Sequence, residues 1–196
     1  MKKRITMGKA TVLSIREAYE QFERKAKVRN MSENTLKTYG YHMDSFCSFT
    51  DGEQPVSNIS EKMLDEYTLF LKNERKIKDI TMDSYLRTMR NFLHFCMDNG
   101  WVERFKITMP KYEKRIKQTY SDDELRRLLK KPDMKKCTFT EFRVWTFENF
   151  LIGTGCRISS ALNVKLEDVD FESGVITIKR AKNRKQQIIP LSRTLA

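Results

Sequence analysis

The sequence predicts a mainly α protein in two parts, a four-helix domain followed by a smaller α+β domain that contains an antiparallel β-hairpin. Three observations predict this architecture. Four amphipathic helical patterns fill the first half of the chain, and a basic stretch with one proline interrupts the pattern at residues 104–117. Two short β-branched runs lie near the end, which is typical of paired strands.

The overall charge points to a polyanionic partner. Among 196 residues, 38 Lys+Arg stand against 26 Asp+Glu, which gives a formal net charge of +12. With 39% hydrophobic residues the chain is too apolar to be disordered, and it has neither a transmembrane run nor a secretory signal. We therefore expect nucleic acid rather than a membrane as the partner, and a cytoplasmic location. The alternative is a basic protein whose charge serves only solubility, or one like those of the ribosome.

Cysteine and histidine positions argue against a metal or another cofactor. The chain has four widely spaced cysteines and two histidines, which are Cys47, Cys96, Cys137, Cys156, His42 and His94. None of them forms a Cys-x-x-Cys pair or begins a metal-ligand spacing, so we expect no zinc site and a reducing compartment.

The first domain is predicted over residues 11–103. The predicted helix starts are a capping box of Ser14 with Glu17, a cap at Ser32, a cap at Ser60 and a point near Thr81. The fourth helix should end at Asn99-Gly100. Apolar residues recur on one face of each pattern, which predicts four helices around a common core.

Basic segments flank this domain on both sides. Residues 1–10 carry four basic residues and no acid, so they predict either a DNA-binding arm or a solubilising end. Residues 104–119 predict a linker, in which six basic residues accompany the single acid Glu113. Such a linker should stay extended and could lie along a phosphate backbone, or it could be a solvated tether without a partner.

The second domain is predicted over residues 120–196. Ser121 and Glu124 form another capping box, and the helix over residues 140–156 is apolar nearly all round, which is typical of a helix in the middle of a domain. Residues 175–178 and 187–189 predict two strands of a hairpin.

Two features of this domain could carry chemistry. Arg157 follows an apolar helix and the glycines Gly153 and Gly155, where a guanidinium is costly unless an anion meets it. That anion is either a phosphate held by the Arg fork or an internal carboxylate such as Asp168 or Asp170. The second feature is the run over residues 179–185, where five of seven residues are basic. It could deliver a lysine as a proton donor, or it could be a solvated turn.

Taken together and in order, these features resemble the tyrosine recombinase (phage integrase) family over nearly the whole chain. In the first domain the matching motifs are Ser32-Glu33-Asn34-Thr35-Leu36-x-x-Tyr39 and Ile80-Thr81-x-x-x-Tyr85-Leu86, which leads to Phe92-x-x-Phe95. In the second domain they are Thr154-Gly155-Cys156-Arg157, Leu166-x-Asp168-Val169-Asp170 and Lys182-Asn183-Arg184-Lys185 closing on Ile189-Pro190-Leu191-Ser192.

The resemblance implies a SAM-like core-binding domain and a truncated catalytic domain that form a clamp around duplex DNA, without metal or nucleotide. Arg157 matches the first catalytic arginine, which contacts the scissile phosphate. Lys182, eight residues before Pro190, matches the hairpin lysine that protonates the 5′-oxygen leaving group. In the family a tyrosine attacks the phosphate and gives a 3′-phosphotyrosyl intermediate, and further recombinase protomers are the protein partners.

Two departures from the family pattern bear on catalysis. Ser160 stands three residues after Arg157, where the family usually has an acid. No histidine follows His94 and no tyrosine follows Tyr120, so the His-x-x-Arg motif and the nucleophile are missing from this sequence. We therefore expect DNA binding without cleavage. The alternative is a recombinase-derived DNA-binding regulator without catalysis, and a weaker third possibility is a basic RNA-binding helical protein.

The expected DNA contacts lie on the exposed faces of the second and fourth helices, on the linker and on the hairpin. The candidate residues are Thr35, Lys37, Thr38, Lys78, Thr81, Ser84, Arg87, Lys111, Lys114, Arg115 and Lys185. Binding should depend mainly on phosphates, and sequence readout should come from the two helices.

Overall fold

The computed structural model describes residues 13–113, 117–179 and 186–192. The chain forms two compact units, over residues 1–115 and 116–196, and each is described by itself. The basic arm at residues 1–10 lies outside the described residues. The architecture is mainly α with one small antiparallel sheet, which confirms the predicted fold class.

The first unit contains the four predicted helices. They are α1 (Ile15–Val28), α2 (Glu33–Phe49), α3 (Glu61–Asn73) and α4 (Asp79–Asp98), with a 3₁₀ turn at Val56–Asn58. The predicted caps are confirmed, because the Ser14, Ser32 and Ser60 side chains each accept a hydrogen bond from a backbone N–H of the first turn. The fourth helix ends as predicted, with Gly100 at a positive φ of 71°.

Helix α4 begins two residues earlier than Thr81. The backbone N–H groups of Thr81 and Met82 both donate to the carbonyl oxygen of Lys78, at 2.8 and 2.9 Å. Lys78 is therefore the N-cap, although its side chain makes no capping hydrogen bond. Without a Ser, Thr, Asp or Asn cap, the sequence carried no clear signal for this helix start.

The core of the first unit is built around α4. Phe92, Leu93 and Cys96 of α4 are fully buried, and α4 contacts α1, α2 and α3. Aromatic rings fill much of the space, with Phe46 of α2 meeting Tyr67 of α3 edge-on at 5.0 Å between centroids. Because α2 also packs directly on α4, the core fixes the relative positions of the two helices predicted to face DNA.

The basic stretch after α4 is fastened to this core. In residues 104–113, which we call the strap, the side chains of Phe105, Ile107 and Met109 pack against the helical core. The intervening Lys106 and Thr108 are exposed, so the strap has the alternating burial of an extended strand. The strap is therefore not a free solvated tether, and it displays its basic residues outward.

The second unit contains α5 (Asp122–Leu128), α6 (Phe139–Thr154), α7 (Ile158–Ala161), a 3₁₀ turn at Leu166–Asp168 and a three-stranded antiparallel sheet. The strands are β1 (Val169–Asp170), β2 (Val175–Ile178) and β3 (Gln187–Pro190), in the order β1-β2-β3. The predicted hairpin is confirmed, with Val175 opposite Pro190 and Ile178 opposite Gln187. Strand β1 was not predicted, because two residues are too short to show a strand pattern.

Helix α6 is apolar nearly all round, but it is only partly covered. None of its residues is fully buried, and Val144 and Ile152 are each 47% exposed. The reason is that the described elements of the second unit cover only part of its circumference. Trp145 is held on one side, where its indole Nε1–H donates to the carbonyl oxygen of Leu129 at 2.9 Å.

Candidate nucleic-acid interface

Helices α2 and α4 pack as an antiparallel pair joined by polar contacts. His42 Nδ1 and Thr88 Oγ1 share a buried hydrogen bond of 2.8 Å, and Asn91 Nδ2 donates to the Tyr39 hydroxyl at 3.2 Å. The two helices therefore run in opposite directions, because the earlier residue of α2 meets the later residue of α4. The His42 ring also lies 4.0 Å from the Tyr85 ring, and burial lowers the pKa of His42.

This packing sets the order of the predicted DNA-contact residues along the two helices. Thr35, Lys37 and Thr38 lie at the beginning of α2, beyond Tyr39 and thus toward the end of α4. The remaining group lies on the first half of α4 and consists of Lys78, Thr81, Ser84 and Arg87. Thr81 and Asn91 are separated by about 15 Å along the α4 axis, since each helical residue adds about 1.5 Å. Arg87 is about 6 Å from Asn91 along the same axis, so the predicted residues form a row along the helix pair and not two separate clusters.

The α2 group begins at the helix N-terminus. The Thr35 hydroxyl is 2.8 Å from the Ser32 hydroxyl, and the Thr38 hydroxyl donates to the carbonyl oxygen of Asn34 at 2.8 Å. Lys37 is exposed, as are Lys78 on α4 and Lys111 on the strap. Within the described ranges these three lysines pair with no carboxylate, so their charges face solvent. Lys114 and Arg115 lie outside the described residues.

Arg87 is the one predicted contact residue that forms an ion pair within the described residues. Its Nε–H donates to Asp83 Oδ2 at 2.7 Å, one helical turn away on α4. The Tyr112 hydroxyl of the strap donates to the same Asp83 oxygen at 3.3 Å. Asp83 raises the pKa of the Arg87 guanidinium, through the hydrogen bond first and the charge second. Sequence reasoning missed Asp83 and Tyr112, although the i,i+4 spacing of Asp83 and Arg87 was a visible signal.

In the second unit, Arg157 sits between the end of α6 and α7. Gly155 takes a left-handed conformation with φ of 61° and turns the chain after α6. The backbone carbonyl of Arg157 accepts the N–H groups of Ser160 and Ala161 at 2.8 and 2.9 Å, and this starts α7. The Arg157 side chain is exposed, and among the described residues no carboxylate pairs with it. The internal ion pair that the sequence left open is thus not observed.

The two carboxylates that were its possible partners are engaged elsewhere. Asp168 is buried, and its Oδ1 lies 2.5 Å from Lys179 Nζ, while Asp170 Oδ1 accepts the N–H of Ser173 at 2.9 Å. The hydrogen bond from Lys179 is the main cause that lowers the pKa of Asp168. This ion pair ties the 3₁₀ turn to the end of β2 and so supports the base of the hairpin.

The basic tip of the hairpin lies outside the described residues. Both Lys182 and Lys185 belong to this segment, so their positions stay predictions. The two flanking strands are described, and Ile178 opposite Gln187 is their last residue pair before the tip.

Two further searches of the structure concern metals and membranes. In residues 13–113, 117–179 and 186–192, no group of three or more His, Cys, Asp or Glu side chains is arranged to hold a metal ion. No helix in the same ranges is long and apolar enough to cross a membrane.

Sequence comparison matches both units. The model of the phage integrase N-terminal SAM-like domain matches residues 18–92, and that of the phage integrase family matches residues 113–196. Tyrosine recombinase XerA of Pyrococcus horikoshii is 25% identical over 176 residues, which are 90% of this chain and 56% of that protein. Tyrosine recombinase XerC of Oceanobacillus iheyensis is 28% identical over 169 residues, which are 83% of this chain and 53% of that protein.

Solved structures share the fold. The Tn1549 transposon integrase in complex with circular intermediate DNA has a TM-score of 0.72 and 17% identity, covering 93% of this chain and 62% of that one. A lambda integrase dimer bound to a COC′ core site has a TM-score of 0.70 and 14% identity, covering 91% and 60%. The chain spans slightly more than half of the length of the curated relatives named above. On these matches the chain belongs to the tyrosine recombinase, or phage integrase, family.

Proposed function

We propose that this chain is the DNA-binding part, with two active-site residues, of a site-specific tyrosine recombinase that acts in the cytoplasm. The core-binding domain would span residues 11–103, the linker residues 104–119 and the catalytic part residues 120–196. Duplex DNA is the substrate, and other recombinase protomers assemble with it on the DNA.

One observation carries this proposal. Arg157 is an exposed guanidinium that follows a left-handed glycine, and within the described structure no carboxylate neutralises it. A side chain held this way can meet a phosphate with two parallel N–H donors. The same donors would stabilise the negative charge that develops on the phosphorus oxygens during strand transfer.

The remaining roles follow from the proposed phosphate position. Lys182 would donate a proton to the 5′-oxygen as it leaves, and a tyrosine hydroxyl would supply the attacking oxygen. None of the seven tyrosines of this chain lies after Tyr120, so none is assigned as the nucleophile. We therefore propose that this polypeptide binds DNA and does not cut it.

The charge predicts strong dependence of binding on salt. We expect the affinity for a fluorescent duplex of random sequence to fall linearly on a log–log plot against KCl. The slope should be about −0.9 for each phosphate neutralised, because each contact releases condensed counterions. Fluorescence anisotropy across a KCl series measures it, and an affinity independent of salt would contradict the proposal.

The same binding reactions, run on a denaturing gel, test whether this polypeptide cuts DNA. We expect no covalent protein–DNA adduct, as both a recombinase part and a non-catalytic regulator require. Salt-dependent binding of single-stranded RNA in clear preference to duplex DNA would favour the RNA-binding alternative instead.

A further inference from the structure

The contacts around Asp83 differ from those of an ordinary surface ion pair. The Asp83 side chain is 13% exposed, and its Oδ2 accepts hydrogen bonds from both the Arg87 Nε–H and the Tyr112 hydroxyl. By contrast, Lys62 and Glu66 on α3 form an i,i+4 pair at 3.8 Å whose side chains are 87% and 53% exposed. Exposed pairs of the second kind contribute little and hold no fixed geometry. The Asp83 carboxylate is instead held from two sides.

This arrangement leaves the outer part of the Arg87 guanidinium available. Its Nε–H is committed to Asp83 and Tyr112 also interacts with the guanidinium, but in the described structure no second carboxylate pairs with its terminal NH₂ groups. The Arg87 side chain is 59% exposed, whereas the Asp83 side chain that holds it is largely covered. Two parallel N–H donors on a fixed plane match two neighbouring acceptors on the ligand.

We propose that Asp83 and Tyr112 are positioning residues that hold Arg87 for reading a guanine through the major groove. Guanine presents O6 and N7 there as adjacent acceptors, which a guanidinium contacts in bidentate fashion. The inference rests on the proposed function, in which the α4 surface faces duplex DNA. It adds a residue of the strap to the determinants of sequence preference.

A phosphate contact is the competing role for Arg87. A phosphate contact carries no sequence information, whereas a contact to a base edge does. A carboxylate beside the reading arginine would also repel the DNA backbone. Asp83 should therefore weaken general affinity while it improves discrimination, and these two effects can be measured separately.

The test uses the full chain and a library of duplexes with a random core. Wild-type protein, Arg87→Ala, Asp83→Asn and Tyr112→Phe each select duplexes at one fixed KCl concentration, and the bound pool is sequenced. Glu66→Gln is the matched control, because it breaks an i,i+4 pair that has no third partner.

We expect the wild-type pool to show one guanine that Arg87→Ala loses. At that position alone, Asp83→Asn should lower the guanine preference about tenfold and Tyr112→Phe by a smaller factor. Asp83→Asn should also bind the unselected library more tightly than wild type, which a merely destabilised protein would not do. Glu66→Gln should select the wild-type pool, and circular dichroism melts confirm that each variant is folded.

Two results would overturn the inference. One is a guanine preference that survives Asp83→Asn and Tyr112→Phe at its wild-type value. The other is a wild-type pool in which Arg87→Ala changes no position. Failure of the proposed function looks different, because the wild-type protein would then show no salt-dependent binding to the library.

Discussion

At the scale of single residues, His42 shows how a polar group is used inside the helix pair. It is 4% exposed, it shares a hydrogen bond with Thr88, and its ring lies against Tyr85. A neutral imidazole fits this buried site, whereas an imidazolium would be a buried charge. The other histidine, His94, is exposed on α4 and meets no such burial. His42 therefore makes the packing of α2 against α4 sensitive to pH.

We predict that the protein loses stability below about pH 6.5, the ordinary pKa of a histidine. Burial lowers the pKa of His42 in the folded state, so the unfolded chain takes up the proton first as the pH falls. The stability that neutral His42 contributes is therefore fully present above the pKa of the histidine in the unfolded chain. It is lost as the pH falls from that value toward the lower pKa of the folded state. Urea unfolding at pH 7.5 and pH 5.5 measures the loss.

His42→Gln is the control for this prediction, since glutamine offers hydrogen bonds without titrating in that range. We expect its unfolding free energy to change less between the two pH values than that of wild type. Equal losses in both proteins would assign the pH dependence to other groups.

At the scale of elements, the helix starts of the first unit are set by short local signals. Ser14 shows the full capping box, in which its Oγ accepts the Glu17 N–H at 3.2 Å and its N–H donates to Glu17 at 2.8 Å. Such signals were readable from the sequence because they lie within one turn. The start of α4 was misplaced because the cap at Lys78 uses only backbone groups.

We predict that Ser14→Ala lowers the free energy of unfolding by about 1 kcal/mol, because the backbone N–H of Glu17 in the first turn of α1 loses its partner, the Ser14 Oγ. Urea denaturation measures the change. Ser57→Ala is the matched control, since Ser57 is an exposed serine in the neighbouring 3₁₀ turn. It should stay within about 0.5 kcal/mol of wild type, and an equal loss in both variants would contradict the role of the cap.

The candidate site was predictable in part for the same reason. Arg157 could be found because two glycines and an apolar helix mark its position locally. The link between Arg87 and Tyr112 could not, because the two residues are far apart in sequence and meet only through the fold.

At the scale of the whole molecule, the strap shows that a basic segment can be part of a folded unit. The basic residues of the strap predicted an extended linker, and they did not indicate that its apolar side chains pack against the first unit. Phe105, Ile107 and Met109 alternate with polar residues in the sequence, which is a strand-like pattern. The proline and the basic residues of the same stretch favoured the prediction of a linker instead. Burial of these side chains extends the first unit beyond its fourth helix.

We predict that Ile107→Ala destabilises the protein by about 1 to 2 kcal/mol, because a half-buried side chain leaves the core surface. Thr108→Ala, one residue along and facing solvent, should change the free energy by less than about 0.5 kcal/mol. Thermal or urea unfolding of the full chain measures both. If both variants unfolded like wild type, the packing of the strap would contribute nothing to stability.

The strap also determines where the protein can be divided. A recombinant fragment that ended at residue 103 would uncover the apolar surface beneath Phe105, Ile107 and Met109. Uncovered patches of this kind promote precipitation and non-specific association. Such a fragment would also lack the hydroxyl that steadies Asp83. Expression of the DNA-binding half for crystallisation or spectroscopy should therefore extend through residue 113.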